Sequence, residues 1–408
     1  MDAPARRGYD RSAMAEAETD PAAEPIAPEP TKPVATAGPP AAEAGAILTI
    51  DLAALTANWR MLASRVTPSE CGAVVKADGY GCGIAPVSAA LARAGCRTFF
   101  VADLAEARAA RGVLPDQAIY VLNGLMPGTA PAFAEIGARP VIGSLVELAE
   151  WDAFCAASGW RGGAALHVDT GMNRLGISPE EAVALAPRVR TGNHGITLLM
   201  SHLVAAQTPE HPLNATQIAL FRELRAHYRG IASSLANSSG IFLPSGAHGD
   251  LVRPGAALYG INPTPGRPNP MRPVVRLQAR IVHVRTVPRG ATVGYDATWT
   301  ARRPSRIAVA ALGYADGFPR ALSASDERPG AEAIVAGRRC PLAGRISMDL
   351  LAIDITRLPD DVGRRGDLAT LIGDGIDLDR VGESAGTIGY EVLARLGRRY
   401  HRAYLGEA

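Results

Sequence analysis

Lys76 follows directly on the apolar run Ala73-Val74-Val75. A lysine where a buried strand ends is partly desolvated, which lowers its pKa. A neutral amine can condense with an aldehyde. Taken alone, such a lysine is more commonly a solvated strand end. It is not alone here: Asp103, Asn123, Asp169, His202, Asn237 with Ser238, and Arg253 stand at or just beyond the ends of other β-prone runs. Each has an ordinary explanation, His202 as a satisfied core histidine and Asn237-Ser238 as a helix cap. Together they describe a polar rim. Ser238-Ser239-Gly240 and Gly255-Ala256 add hydroxyls and backbone N–H groups of the kind that hold a phosphate.

A rim of this kind needs a scaffold that brings strand ends together. The β-prone runs are Cys71–Val75, Thr98–Val101, Ala118–Leu122, Arg139–Ile142, Ala164–Val168, Ile196–Ser201, Ile231–Ala236 and Leu251–Arg253. Between them lie helical candidates at Ala85–Ala94, Leu104–Arg111, Leu145–Ala156, Pro179–Ala186 and Gln217–Tyr228. This alternation predicts βαβ units on a parallel sheet. Eight units predict an α/β fold with a (β/α)8 TIM-type barrel over residues 45–275, whose chemistry belongs at the carboxyl ends of its strands. The alternative is an open doubly wound sheet with a glycine-rich phosphate turn after its first strand. Gly79, Gly81 and Gly83 follow Lys76, but they lack the third glycine at the required spacing and read more simply as a tight turn.

Beyond residue 275 the texture changes. Val274–Val287, Arg306–Ala311, Ala333–Val335, Leu350–Ile355 and Asp367–Leu371 are strand-like and joined by Gly/Pro/Asp turns, with one helical stretch around Glu383–Leu396. Residues 276–408 therefore read as a mostly β C-terminal domain, and residues 46–51 are a candidate to pair with it. The first 44 residues hold thirteen alanines, eight prolines and a single aromatic, Tyr9, a composition that predicts a disordered tail.

Charge and composition exclude several classes. Lys and Arg number 42 against 40 Asp and Glu, with no basic block, so neither a nucleic acid nor a membrane surface is an expected partner. No apolar run approaches the ~20 residues that span a bilayer. Five cysteines without a CxxC pair read as reduced thiols, which points to the cytoplasm. No ligand cluster at metal spacing stands beside the rim, so no metal is expected.

The motifs carry a specific resemblance. Residues 73–81 (AVVKADGYG) resemble the cofactor-lysine motif of alanine racemases, fold-type III pyridoxal-phosphate enzymes. Residues 167–176 (HVDTGMNRLG), 236–240 (ANSSG), 252–260 (VRPGAALYG), 293–295 (VGY), 344–349 (GRISMD) and 389–391 (GYE) continue the series in family order. The resemblance spans about residues 46–405. It implies a pyridoxal 5'-phosphate cofactor on Lys76 as a Schiff base, and two-base interconversion of L- and D-alanine by Lys76 and Tyr295, supplying D-alanine for peptidoglycan. It implies that Tyr80, Ser238, Gly255, Ala256 and Tyr400 hold the phosphate. Asn237 joins the cofactor site, His202 stacks on the pyridine ring and Arg253 bonds its nitrogen. Arg174 and Met348 face the substrate carboxylate. It further implies a homodimer with shared sites, in which Tyr295 and Met348 reach the partner's cavity.

The sequence departs from the family pattern at two positions. Many alanine racemases have, at the position of His167, a lysine modified to a carbamate that orients the arginine of this motif, and histidine cannot form that group. Ser347 stands where many relatives have cysteine. Three other activities share parts of the pattern: a broader or serine-type racemase, an amino-acid decarboxylase of the same fold group, and a cofactor carrier without catalysis. A decarboxylase wants an acid at the position of Arg253, and carriers of this fold lack the second domain.

Overall fold

The computed structural model describes residues 33–191, 195–243 and 246–406. Strands Ala73–Val74, Thr98–Val101, Ala118–Val121, Arg139–Ile142, Ala164–His167, Ile196–Met200 and Ala232–Ser234 pair in parallel in chain order. The short strand Leu251–Val252 closes the ring. It pairs in parallel with Glu70–Cys71, and Gly72 and Val74 donate to Val252 and Pro254 carbonyls at 2.9 Å. On its other side Arg253 N donates to Ala236 O at 2.9 Å, and Asp250 N to Ser233 O at 2.8 Å. The eight units therefore form a barrel.

Alternate residues of each strand face opposite ways. Val74, Phe100, Tyr120, Val141, Ala165, Leu198, Met200 and Leu251 fill the interior. Ala73, Val75, Phe99, Val101, Ile119, Leu166 and Leu199 face the helices in the larger core. Burying a side chain such as Phe100 contributes ~1.5–3 kcal/mol, so the sheet is held from both faces. The packed interior sets the floor on which the polar rim stands.

In the β-rich part the long strand Val275–Val287 is the spine. It pairs antiparallel with Ala46–Asp51, Leu368–Ile372 and Ser305–Ala310. Val275, Leu277, Ala279 and Ile281 point inward at the period of two expected of a half-buried strand. Strand His401–Leu405 runs parallel to Ala46–Asp51, so the 46–51 segment joins this sheet.

Four local expectations need correction. Helices Leu52–Val66 and Ala130–Ile136 were not anticipated, and the C-terminal helical stretch is two helices, Leu378–Ala385 and Gly389–Ala394, parted by the left-handed Gly386. Strands Arg338–Pro341 and His401–Leu405 were also missed. Part of the expected tail is ordered: Ala35–Ala37 pairs antiparallel with His401–Leu405, because that edge offers unpaired backbone groups. The remainder of the tail, residues 1–32, lies outside the described residues.

Candidate active site

At the carboxyl ends of the barrel strands lies a cavity of about 490 Å³. Its polar lining includes Lys76, Tyr80, Asn123, His167, Arg174, His202, Asn237, Ser238, Arg253 and Tyr390, with Gly255 and Ala256 beside them. No carboxylate is among the lining residues. Three permanent or potential cations with no acid between them make this cavity a place for an anion.

Arg253 is the most deeply placed of them, only 4% exposed. No carboxylate pairs with it among the described residues. Its guanidinium donates to Ser234 Oγ and to the Ser201 carbonyl at 2.6 Å, and one nitrogen lies 3.5 Å from His202 Nδ1. Burial lowers its pKa to about 10, so it stays cationic at neutral pH. That fixed charge acts on its neighbours. Burial first, then Arg253 and Arg174, push His202 down to about 3 and His167 down to about 4. Both imidazoles are neutral at pH 7.

Lys76 is exposed to the cavity, yet the surrounding protein lowers its pKa by desolvation, and Arg174 lowers it further against an opposing pull from Glu106. Its backbone is followed by a run of left-handed residues: Ala77, Asp78, Gly79, Tyr80 and Gly81 all have φ between 53° and 76°. This is the tight turn its glycines suggested, extended into non-glycine positions. The turn delivers Tyr80 under the site, where it stacks on Tyr259 with ring centroids 4.5 Å apart. The Tyr80 hydroxyl lies so close to Gly255 that a Cβ there would meet it at 2.3 Å. Only glycine fits that position.

Ser238 completes the pocket floor. Its Oγ accepts N–H bonds from Gly255 and Ala257 at 3.0 and 3.2 Å, which leaves its own O–H to donate to a ligand. Asn237 has the capping role its type suggests, accepting from Gly240 N at 2.9 Å, and also faces the cavity. Arg174 comes from a loop closed at its base by Ile177 N to His167 O and Asp169 N to Ile177 O, both 2.9 Å. The Asp169 carboxylate organises that loop by accepting from Gly171, Met172 and Asn173 N–H groups. Burial raises its pKa, but those three bonds outweigh this and hold it below the ordinary value.

One expected site residue is misplaced. Tyr400 is buried in the β-rich core, where its hydroxyl donates to the Asp316 carbonyl at 2.5 Å, and it does not line the cavity. Tyr390 takes its place beside Tyr80. The Gly389-Tyr390-Glu391 motif carried that signal in the sequence without a role attached to it. Tyr295 and Met348 do not line this chain's cavity either. They are 65% and 52% exposed on the β-rich part, with exposed Tyr314 and Leu350 in the same region of the chain.

The donor set suits an aromatic phosphate ester bearing an aldehyde. It offers an amine, hydroxyl and N–H donors for a phosphate, a buried cation, a neutral imidazole, and a mobile-length arginine for a second anion. The glycine that lets Tyr80 approach Gly255 gives the cradle its shape.

Comparison with known proteins agrees with this chemistry. The family models for the N-terminal and C-terminal domains of alanine racemase match residues 50–263 and 274–404. The alanine racemase of Methylobacterium sp. strain 4-46 is 58% identical over 361 residues, covering 88% of this chain and 98% of that one. A catabolic alanine racemase of Mesorhizobium japonicum is 48% identical over 384 residues, covering 92% and 98%. The crystal structure of alanine racemase from Bartonella henselae with covalently bound pyridoxal phosphate superposes with a TM-score of 0.83 at 40% identity, covering 89% of this chain and all of that one. With both domain models matched in order and the lysine, arginine and serine of the motifs gathered at one barrel mouth, the chain belongs to the alanine racemase family.

Proposed function

We propose that this protein interconverts L- and D-alanine with pyridoxal 5'-phosphate held on Lys76. The observation that carries the reading is the cavity itself: an amine, a buried arginine without an acid partner among the described residues and a serine–glycine cradle at the carboxyl end of one barrel. When bound, the cofactor supplies an electron sink that makes the α-proton of an amino acid removable.

The chain's own groups do the rest. Ser238, Tyr80, Tyr390 and the backbone at Gly255–Ala256 would hold the phosphate. His202 and Asn237 would flank the ring. Arg253 would set a permanent positive charge against the ring nitrogen, which disfavours a second proton there. Lys76, its pKa lowered by burial and by Arg174, takes or returns the proton on one face. Arg174 binds the substrate carboxylate. His167, neutral beside it, leaves that arginine without a carbamate brace.

Removing a proton from one face and returning it on the other takes two bases. Within one chain Lys76 is the base in the cavity, and Tyr295 stands exposed elsewhere. We therefore read the working unit as a homodimer in which Tyr295 and Met348 enter the partner's cavity, Met348 through its backbone N–H. We place the protein in the cytoplasm and its product in the supply of D-alanine for peptidoglycan. Its five cysteines are free, and no helix among the described residues is long and apolar enough to cross a membrane.

Circular dichroism on single enantiomers of alanine, serine and lysine, with carbon dioxide followed in parallel, tests the reading. Loss of optical activity from either alanine enantiomer is expected, without carbon dioxide release and abolished by Lys76→Ala. A protein that takes up no pyridoxal phosphate, or that racemises equally well without Lys76, sinks it.

A further inference from the structure

The left-handed turn after Lys76 raises a question of support. Ala77, Asp78 and Tyr80 all adopt a left-handed backbone conformation that L-residues rarely take, and such a run persists only where surrounding contacts over-determine it. At its far end the Tyr404 hydroxyl donates to Cys82 O at 2.9 Å, and Gly81 lies against the Leu393 carbonyl, 2.5 Å from where a Cβ would be. Inside it, Ile84 N donates to Asp78 Oδ1 at 2.8 Å. At the near end, next to Lys76, the only side chain among the described residues that holds the turn is that of Glu106: its Oε1 accepts from Asp78 N at 3.1 Å.

Glu106 sits in the first turn of helix Leu104–Arg111, three residues after its N-cap Asp103, whose side chain accepts from Glu106 N at 3.0 Å. A glutamate at that position ordinarily turns back on its own helix start. Here Oε2 does so, accepting from Ala102 N at 2.8 Å where barrel strand Thr98–Val101 ends. Oε1 then crosses to the neighbouring unit. One carboxylate thus ties the end of one barrel strand to the turn that follows the strand before it.

We propose that Glu106 is a positioning residue for Lys76: by clamping the Asp78 N–H to the end of the adjacent strand, it holds the left-handed turn that aims Lys76 and Tyr80 into the cavity. A carboxylate suits this place for a second reason. The charged groups lining the cavity are cations, and Glu106 is the negative charge that acts on Lys76 against Arg174. Glu147 provides a built-in comparison. It stands in the same position after its own N-cap, Ser144. Its Oε2 accepts from Gly143 N at 2.7 Å, and its Oε1 crosses to Leu125 N at 2.8 Å, two units away from the lysine turn. If such glutamates only brace the rim, the two are equivalent; if Glu106 positions the lysine, they are not.

The inference rests on the proposed role of Lys76, whose amine condenses with the cofactor aldehyde to form a C=N bond with release of water. The full-length protein and its Glu106→Ala, Glu106→Gln and Glu147→Ala variants are equilibrated by dialysis against falling pyridoxal phosphate. The lysine-linked cofactor is read from its visible absorption, and thermal unfolding is recorded alongside. Glu106→Ala is expected to retain the linked cofactor at least about tenfold more weakly, the effect of losing one charge-assisted hydrogen bond. Glu106→Gln keeps one carbonyl acceptor at the same reach and recovers part of that loss. Glu147→Ala loses thermal stability to a similar degree as Glu106→Ala but binds the cofactor like the parent protein. Equal cofactor retention in Glu106→Ala and the parent, or equal loss in Glu147→Ala, overturns the inference while leaving the proposed function standing. A parent protein that forms no Lys76-dependent absorption overturns both.

Discussion

The barrel mouth and the exposed edge of the β-rich part carry comparable chemistry in opposite surroundings. At the mouth, Arg253, His202 and Ser238 are buried or half-buried, and each has hydrogen-bond partners within its own chain. At the edge, Tyr295 and Met348 project from the surface, Tyr295 from a turn pinned by an ion pair between Arg345 and Asp296. The first region is a finished cavity whose electrostatics are set before any ligand arrives. The second is a pair of exposed side chains that stand outside this chain's cavity. On the proposed two-base reading, a monomer folded this way is preorganised for binding and incomplete for two-faced proton transfer.

The sharpest way to break that contrast is to separate the two regions genetically. Lys76→Ala and Tyr295→Phe are each expected to cut racemase activity by at least about 10²–10⁴-fold, the usual effect of losing a positioned acid–base group. Co-expressed, the two variants are expected to recover up to about a quarter of parental activity, because a mixed dimer with isologous interfaces assembles one intact site. Absence of recovery in a preparation shown to contain mixed dimers means both bases serve the same chain.

A second test contrasts Tyr390 with Tyr400, one from the cavity wall and one from the core. Tyr390→Phe removes a hydroxyl beside Tyr80 and is expected to weaken cofactor retention about tenfold, as for one hydrogen bond to a charged group, with little change in unfolding midpoint. Tyr400→Phe removes one of two donors to the buried Asp316 carbonyl, which keeps the Gly397 N–H at 2.9 Å, and is expected to cost ~1 kcal/mol of stability with cofactor retention unchanged. The opposite pattern, read by dialysis and denaturant melts, would return Tyr400 to the phosphate.

The two tyrosines also mark how far the sequence could be read. The barrel strands were legible because each is a short β-prone run, some of them before a helix with a capping side chain, such as Asp103 before 104–111 and Ser144 before 145–158. Helix Leu52–Val66 is equally legible, since its buried Leu52, Leu55, Trp59, Leu62 and Val66 recur at three and four residues. Strand His401–Leu405 was not legible. It is short and opens His-Arg, and it exists because Ala46–Asp51, some 350 positions earlier, offers it an edge. Motif resemblance found Lys76, Ser238, Arg253 and Arg174, which the fold brings to one cavity. It named Tyr400 where the cavity is lined by Tyr390, because the choice depends on which tyrosine the chain turns toward the cavity. Glu106 carried a visible signal as the third residue of a capped helix, but its second bond crosses between units that only the closed barrel makes adjacent.

The smallest expected effect probes the mouth without its ligand. His202 and His167 are held neutral, with pKa values of about 3 and about 4, chiefly by burial and then by Arg253. In the unfolded chain a histidine titrates near 6.5. Between those values the unfolded state binds more protons than the folded one, so stability rises with pH across this window and is fully present above about pH 6.5. As pH falls from 6.5 toward 4 that contribution is progressively lost. Denaturant unfolding of the cofactor-free chain at a series of pH values is expected to show this slope, and His202→Gln to flatten it by up to one proton, ~1.4 kcal/mol per pH unit. No comparable change is expected from Tyr295→Phe, which alters a group on the exposed edge. Identical slopes in parent and His202→Gln would mean that this imidazole takes up its proton in the folded chain as readily as in water. The positive field ascribed to Arg253 would then be neutralised before the cofactor binds, and the contrast between a finished mouth and an unfinished edge would lose its electrostatic half.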